Sequence, residues 1–267
     1  MALRLVALTG ERAGLNRLGT PEEPLAGAAI CYGIGAAVLW AAQLALGGVH
    51  IAPAALWAGV WYAASFLFYA WGLALAPVSV VGAWPAATAL MLWLAAPQGG
   101  WAALAAVVVM VVGAVLTTTG GGRRHLPAIV AMLVSDSLLV VARQLDAARI
   151  GGEVWAYAAT VYGVVAVLFL AGGWMTGSGR TMWRQLVQSP WWSVGAGLAN
   201  GGAYLTLVVL LQYWPPYLVE ALSGTAGLAS VVSGIWWLGD GGGPQQVWGA
   251  ALVAGGAAAL VLQGRAL

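Results

Sequence analysis

The stretch "FYAWGLALAPVSVV", residues 68–81, ends one apolar run and begins another across Pro77, and "LVVLLQYWPPYLVE", residues 207–220, does the same 139 residues later. Neither run alternates apolar with polar residues as a half-buried strand does. A proline at the joint stops a helix, because its ring clashes with the preceding turn and it has no N–H to donate. Each stretch therefore reads as helix, break, helix. The surrounding composition sets the medium: hydrophobic residues make up 62% and charged residues 7% of the 267, and mean hydropathy is +0.89. A soluble domain is about 25% charged. The chain reads as an integral membrane protein. Lipid leaves no water to satisfy the backbone, so only helices or closed barrels span it, and the continuous runs here favour helices.

Crossing about 30 Å of hydrocarbon takes roughly 20 residues at 1.5 Å rise. The apolar runs predict nine spans, at 26–47, 54–76, 78–96, 101–119, 127–147, 154–175, 191–213, 217–238 and 246–264, with "TGSGRTMWRQLVQSP", 176–190, the one long connection. Each helix–Pro–helix pair is followed by a Gly- and Pro-containing loop and a final Ala/Gly/Val span, "WAALAAVVVMVVGAVLTTTGG" (101–121) or "VWGAALVAGGAAALVLQG" (247–264). Two copies of one bundle is the pattern of a secondary transporter, with its substrate site between the repeats. The expected organisation is a first repeat of four spans, 26–122, and a second of five, 123–267. Residues 1–25 carry Arg4, Glu11, Arg12, Arg17, Glu22 and Glu23 and contain no apolar stretch long enough for a signal-peptide core or a span, so they are expected to lie on the membrane surface as a short amphipathic helix.

The same residues exclude several functions. A net charge of +2, scattered along the chain, offers no nucleic-acid surface. One cysteine, Cys31, allows neither an intrachain disulfide nor a thiolate cluster, and His50 and His125 are isolated, so no metal or cofactor is expected. No Ser/His/Asp set or catalytic carboxylate pair stands at surface depth, which argues against an enzyme. The Gly-rich "GAGLANGG", 195–202, follows no strand and is no phosphate loop; Gly197 and Gly201, like Gly27, Cys31 and Gly35, put small residues one turn apart for close helix packing. Counting arginines on cytoplasmic loops places the N-terminus inside, with Arg123, Arg124, Arg180 and Arg184 on the same side and Arg149 and Arg265 outside.

The intramembrane polar residues are the candidate site. Asp136, in "IVAMLVSDSLLVVAR" (129–143), would cost about 2.5–3.5 kcal/mol at a bilayer centre and should face the bundle interior. It reads either as a substrate or proton site or as a hydrogen-bond anchor to Ser135 or Ser137. Arg143 stands on nearly the same face but about 10 Å along the axis, too far for a direct salt bridge, with Asp146 at i+3 as its local partner. Glu220, one turn after Pro216, reads as a helix-start charge or a ligand. Asn200 and Tyr204, with Gln212 beyond them, form one polar stripe, and Tyr62, Ser65 and Tyr69 another. Trp84 precedes Pro85 inside a span, where a kink must be lined by protein or a cavity. The candidate set is Asp136, Arg143, Tyr62, Trp84, Asn200, Tyr204 and Glu220.

Three segments, "YAWGLALAPVSVVGAWPAATALMLWL" (69–94), "YLVEALSGTAGLASVVSGIWWLGD" (217–240) and the terminal span 247–264, resemble the drug/metabolite transporter superfamily, in particular its EamA-type branch. The likeness runs from about residue 20 to 264. It implies an all-α membrane fold of two inverted five-helix repeats, usually ten helices, and a multi-pass permease of the plasma (inner) membrane. The implied activity is transport, outward by preference, of a small metabolite such as an amino acid or organic cation by alternating access. By order of resemblance the nine spans match family spans two to ten, so the first is expected to be missing, and the family's orientation is opposite to the arginine count. The odd span count keeps a rival open, a non-transporting scaffold or accessory subunit. Expected partners are a small-molecule substrate and the bilayer, with a homodimer compatible; no nucleotide-binding domain is present, so a gradient would supply the energy.

Overall fold

The computed structural model describes residues 2–20, 22–97, 100–119, 122–150 and 153–264, and the described residues form helices joined by short turns. In chain order these are α1 (Ala2–Leu18), α2 (Pro24–Gly47), α3 (Pro53–Leu75), α4 (Val78–Val81), α5 (Ala86–Ala95), α6 (Gly100–Thr118), α7 (Leu126–Arg149), α8 (Val154–Met175), α9 (Gly179–Gln188), α10 (Pro190–Leu211), α11 (Pro216–Gly224), α12 (Ala226–Ser233) and α13 (Pro244–Gly264). Proline opens α2, α3, α10 and α11, where its missing N–H costs nothing. Among the described residues, nine helical segments are long and apolar enough to cross a membrane. They fall within about two residues of the predicted spans. Arg265, counted in the orientation argument, lies outside the described residues.

Two of these segments are broken. Between α4 and α5 the chain makes a turn at residues 82–85, where Trp84 and Pro85 lie, and after α12 it passes through a π-helical turn, Gly234–Leu238, ending at Gly239 in the left-handed region (φ 74°). The breaks meet: Asp240 Oδ2 accepts from the Ser79 N–H at 3.0 Å, satisfying an orphan donor in the first turn of α4, as helix N-termini require.

Helices approach where side chains are small. Gly35 faces Gly201, and the Cys31 thiol donates to the Ala196 carbonyl at 3.4 Å, forming the α2–α10 seam. Gly197 lies against Ile34 and Cys31 of α2, while Gly59 of α3 lies against Val161 and Val164 of α8. In the α6–α13 pair, Gly113 abuts Gly249 and Val253, and Gly256 abuts Ala106 and Met110. Such seams gain dispersion contacts that lipid cannot supply.

Two expectations are corrected. Residues 176–190, expected as a loop, contain the helix α9, whose Gln185 donates to the Leu18 carbonyl at 2.7 Å. More consequentially, the N-terminal segment does not lie on a surface. α1 is packed in the bundle, with Arg4 and Arg12 each only 2% exposed. Contacts of Arg4 with Ala203, Gly10 with Ala199 and Gly14 with Ala196 run in opposite chain directions, so α1 lies antiparallel along α10. The reason is angular: residues 4, 8, 11 and 12 share one helical face. Three of the six charges that ruled out a lipid-facing span, Arg4, Glu11 and Arg12, point inward to partners, while Arg17 and Glu22 are exposed.

Three outcomes follow from this packing. A Cβ at Gly113 would stand 2.5 Å from the Gly249 carbonyl oxygen, so Gly113→Leu should destabilise by about 1–3 kcal/mol, whereas Gly195→Leu, which meets nothing within 4 Å, should be neutral; melting of the detergent-solubilised protein followed by size-exclusion chromatography reads both. A Cβ at Gly10 would stand 3.2 Å from that of Ala199, so Gly10→Cys with Ala199→Cys, in a Cys31→Ser background, should form a disulfide under mild oxidation. A surface-lying α1 would leave both thiols free to alkylate.

Candidate functional site

The inward face of α1 joins charged and aromatic residues from six other helices at the centre of the bundle. Glu220 of α11 is the hub. Its Oε1 accepts from Arg143 Nε of α7 at 2.5 Å and lies 3.7 Å from Arg4 Nη2 of α1. Arg4 also donates to Ser223 Oγ at 2.7 Å and to the Ala203 carbonyl at 2.5 Å. Arg143 donates through Nη1 to the Tyr62 hydroxyl, sits over the Tyr62 ring at 5.1 Å and stands 3.8 Å from Asp146 Oδ2. Asp146 in turn accepts from the Tyr62 hydroxyl and, at 2.8 Å, from that of Tyr157. A carboxylate held by two guanidiniums, each with further acceptors, is the arrangement that makes buried charge tolerable.

Two charges of α1 lie beside this hub. Glu11 Oε1 accepts from Asn200 Nδ2 at 2.8 Å and from the Tyr32 hydroxyl at 3.5 Å. Arg12 donates to the Gly82 carbonyl at 2.7 Å, to Ser230 Oγ at 3.0 Å and to the Tyr69 hydroxyl at 3.3 Å, which ties α1 to both broken helices. Tyr32, Tyr162, Tyr204 and Tyr62 form a continuous chain of ring contacts, with centroids 4.7–5.8 Å apart, along one wall.

These groups enclose a cavity of about 60 Å³ bordered by Arg4, Glu11, Arg12, Asp136, Arg143 and Glu220 among others. That volume holds a few waters and is far below the roughly 300–1,000 Å³ of a metabolite pocket. In this state the site has no room for a metabolite. Larger depressions open at the two ends of the bundle, about 520 Å³ between Gln43, His50 and Glu153, and about 480 Å³ between Pro77, His125 and Asp240.

Four of the seven candidates read from the sequence, Asp136, Arg143, Tyr204 and Glu220, line the cavity. Tyr62 and Asn200 stand one hydrogen bond behind it, on Arg143 and Glu11. Trp84 is buried among apolar residues instead, with its indole N–H unpartnered, and its neighbour Pro85 reaches the cavity. Glu220 is no interfacial helix-start charge but a buried acid, 2% exposed, paired with Arg143 and Arg4. Arg143 does pair with Asp146, yet its shorter bond goes to Glu220, a partner 77 positions away that no local spacing reveals. Asp136 Oδ1 accepts from Thr88 Oγ1 at 2.9 Å; Ser135 pairs with Ser65 and Ser137 with the Leu133 carbonyl, so neither serine anchors it.

Arg4, Glu11 and Arg12 escaped the sequence reading because charge count was weighed before helical angle. A signal was present: Arg4 and Glu11 are seven residues apart, as are Asp136 and Arg143.

Removing the hub acid leaves Arg4 and Arg143 buried without it, so Glu220→Ala should cost about 3–5 kcal/mol. Asp136→Asn, which keeps an acceptor for Thr88, should cost under about 1 kcal/mol. Melting temperatures of the two variants against the parent test the ranking.

No protein-family model matches the chain, and no curated protein is significantly similar to it. Among solved structures, a chain described only as "Crystal structure of protein" superposes with a TM-score of 0.68 at 21% identity, covering 98% of this chain and 96% of its own. At that identity the likeness shows a shared fold alone.

Proposed function

We propose that this multi-pass membrane protein is a secondary transporter of a small metabolite rather than an enzyme or a scaffold, and that it is related to the drug/metabolite transporters its motifs resemble. In this reading α1–α6 and α7–α13 are two inverted repeats that rock against each other about the central cavity. The observation that carries it is a small, charged cavity bounded by helices of both halves, between the repeats, where a transporter of two bundles places its substrate.

Reciprocal contacts support the repeat. Gly59 against α8 has its counterpart in Gly197 against α2, and Gly113 against Val253 in Gly256 against Met110. The polar contacts pair in the same way. Arg4 on Ser223 of α11 matches Asp136 on Thr88 of α5, and Glu11 on Asn200 of α10 matches Arg143 on Tyr62 of α3. In this reading α1 corresponds to α7 and supplies the fifth helix of the first half, which would remove the odd span count that favours a scaffold. A cavity this small would have to open in order to exchange cargo, and the two end depressions are the natural mouths.

Reconstitution into proteoliposomes, followed by counterflow across a panel of amino acids and small amines, is the test. The expected outcome is protein-dependent, saturable exchange of at least one class. A folded, reconstituted protein that exchanges none under any imposed gradient would leave the scaffold reading standing.

A further inference from the structure

We infer that the central cavity binds the cationic head of a small molecule, an ammonium or guanidinium group that donates N–H to the free carboxylate oxygen of Asp136 with the Tyr204 hydroxyl as a second contact. This deepens the transporter reading by naming the class of cargo, and it rests on that reading only for the step of transport.

The first support is the pattern of unused hydrogen-bonding capacity. Asp136 is 3% exposed and lines the cavity, and its Oδ2 has no partner, although Oδ1 is held by Thr88. The Tyr204 hydroxyl, also on the cavity wall and 3% exposed, has none either. A buried carboxylate oxygen without a donor is costly, and such atoms in native structures call for a ligand or water. The guanidiniums, by contrast, are engaged. Arg4 and Arg143 converge on Glu220, and Arg12 is spread over a carbonyl and two hydroxyls. The cavity offers a free acceptor and a hydroxyl, but its arginines are already committed.

The second support is charge. Around the cavity and its supporting shell stand three guanidiniums, Arg4, Arg12 and Arg143, and four carboxyls, Glu11, Asp136, Asp146 and Glu220, all buried. Glu220 and Asp146 are ion-paired within 4 Å; Asp136 and Glu11 are not. With all four carboxyls ionised, one monovalent cation cancels the surplus, whereas an anion enlarges it in a medium where unpaired charge is least tolerated. Size agrees: about 60 Å³ fits a small head group, with the remainder of a cargo admitted only on opening.

The test uses the purified full-length protein in detergent at fixed pH and ionic strength, with methylammonium, guanidinium, tetramethylammonium and acetate as probes. Methylammonium and guanidinium should raise the melting temperature saturably, by about 2–5 °C, and acetate should not. Asp136→Asn should weaken methylammonium binding at least tenfold, and Tyr204→Phe by a few-fold. Stabilisation by acetate alone, or an undiminished methylammonium effect in Asp136→Asn, would overturn the inference. Tetramethylammonium has charge but no N–H; binding as tight as that of methylammonium would overturn the hydrogen-bonding part. Should Asp136→Asn fail to fold, mass-spectrometric mapping of carbodiimide labelling on the parent protein decides: methylammonium should protect the Asp136 peptide, and undiminished labelling refutes the site. Amine binding without flux in vesicles would refute the transporter reading and leave this one intact, while flux confined to anions would do the reverse.

Discussion

Glu220 is the residue on which the centre of the molecule depends. In a medium where an isolated carboxylate is barely tolerated, it is held by Arg143 from α7 and Arg4 from α1, and so joins three helices distant in sequence at one oxygen. The charges around it follow from that constraint. Arg143 needs Tyr62 and Asp146 for its remaining donors, Asp146 needs Tyr157 for its second oxygen, and Arg4 needs Ser223 and a carbonyl of α10. Each added polar residue satisfies another, and the result is a connected set in which few atoms are left over.

Those few are informative because the rest are paired. Asp136 Oδ2 and the Tyr204 hydroxyl are unpartnered, and both residues border the same small cavity. Glycine seams around the set, along α2–α10, α3–α8 and α6–α13, bring backbones together without bulky side chains, so the helices are positioned by shape while the ionic centre fixes their rotation. A bundle built this way has two kinds of joint. The seams hold by close apolar contact, and the ion pairs by charge that lipid cannot satisfy. A cation arriving at Asp136 would change the electrostatic balance that Glu220, Glu11 and the three arginines now hold.

The broken helices extend the same logic to one end of the bundle. Asp240 caps the Ser79 N–H, and Arg12 binds the Gly82 carbonyl and Ser230, so breaks in both halves are tied to one another and to α1. Backbone freed by a break inside a membrane must be satisfied by protein, and here charged side chains do it.

Much of this was legible in the sequence. Composition and run length determined that the chain is an all-helical membrane protein and located nine spans, because the free energy of burying a residue in lipid is nearly additive along a helix. The same additivity marked Asp136 as inward-facing, but it left Arg143 with a local partner in Asp146 and Glu220 readable as a helix-start charge. It also misled, since summing the six charges of residues 1–25 removed α1 from the bundle. Whether a charge is affordable depends on its partner, and the partners of Arg4, Ser223 and Glu220, lie more than 200 positions away. Only the tertiary structure decided that α1 is inside, that Arg143 turns to Glu220, and that one oxygen of Asp136 is left free, because ion pairing is a property of points in space that helical spacing along one segment does not encode.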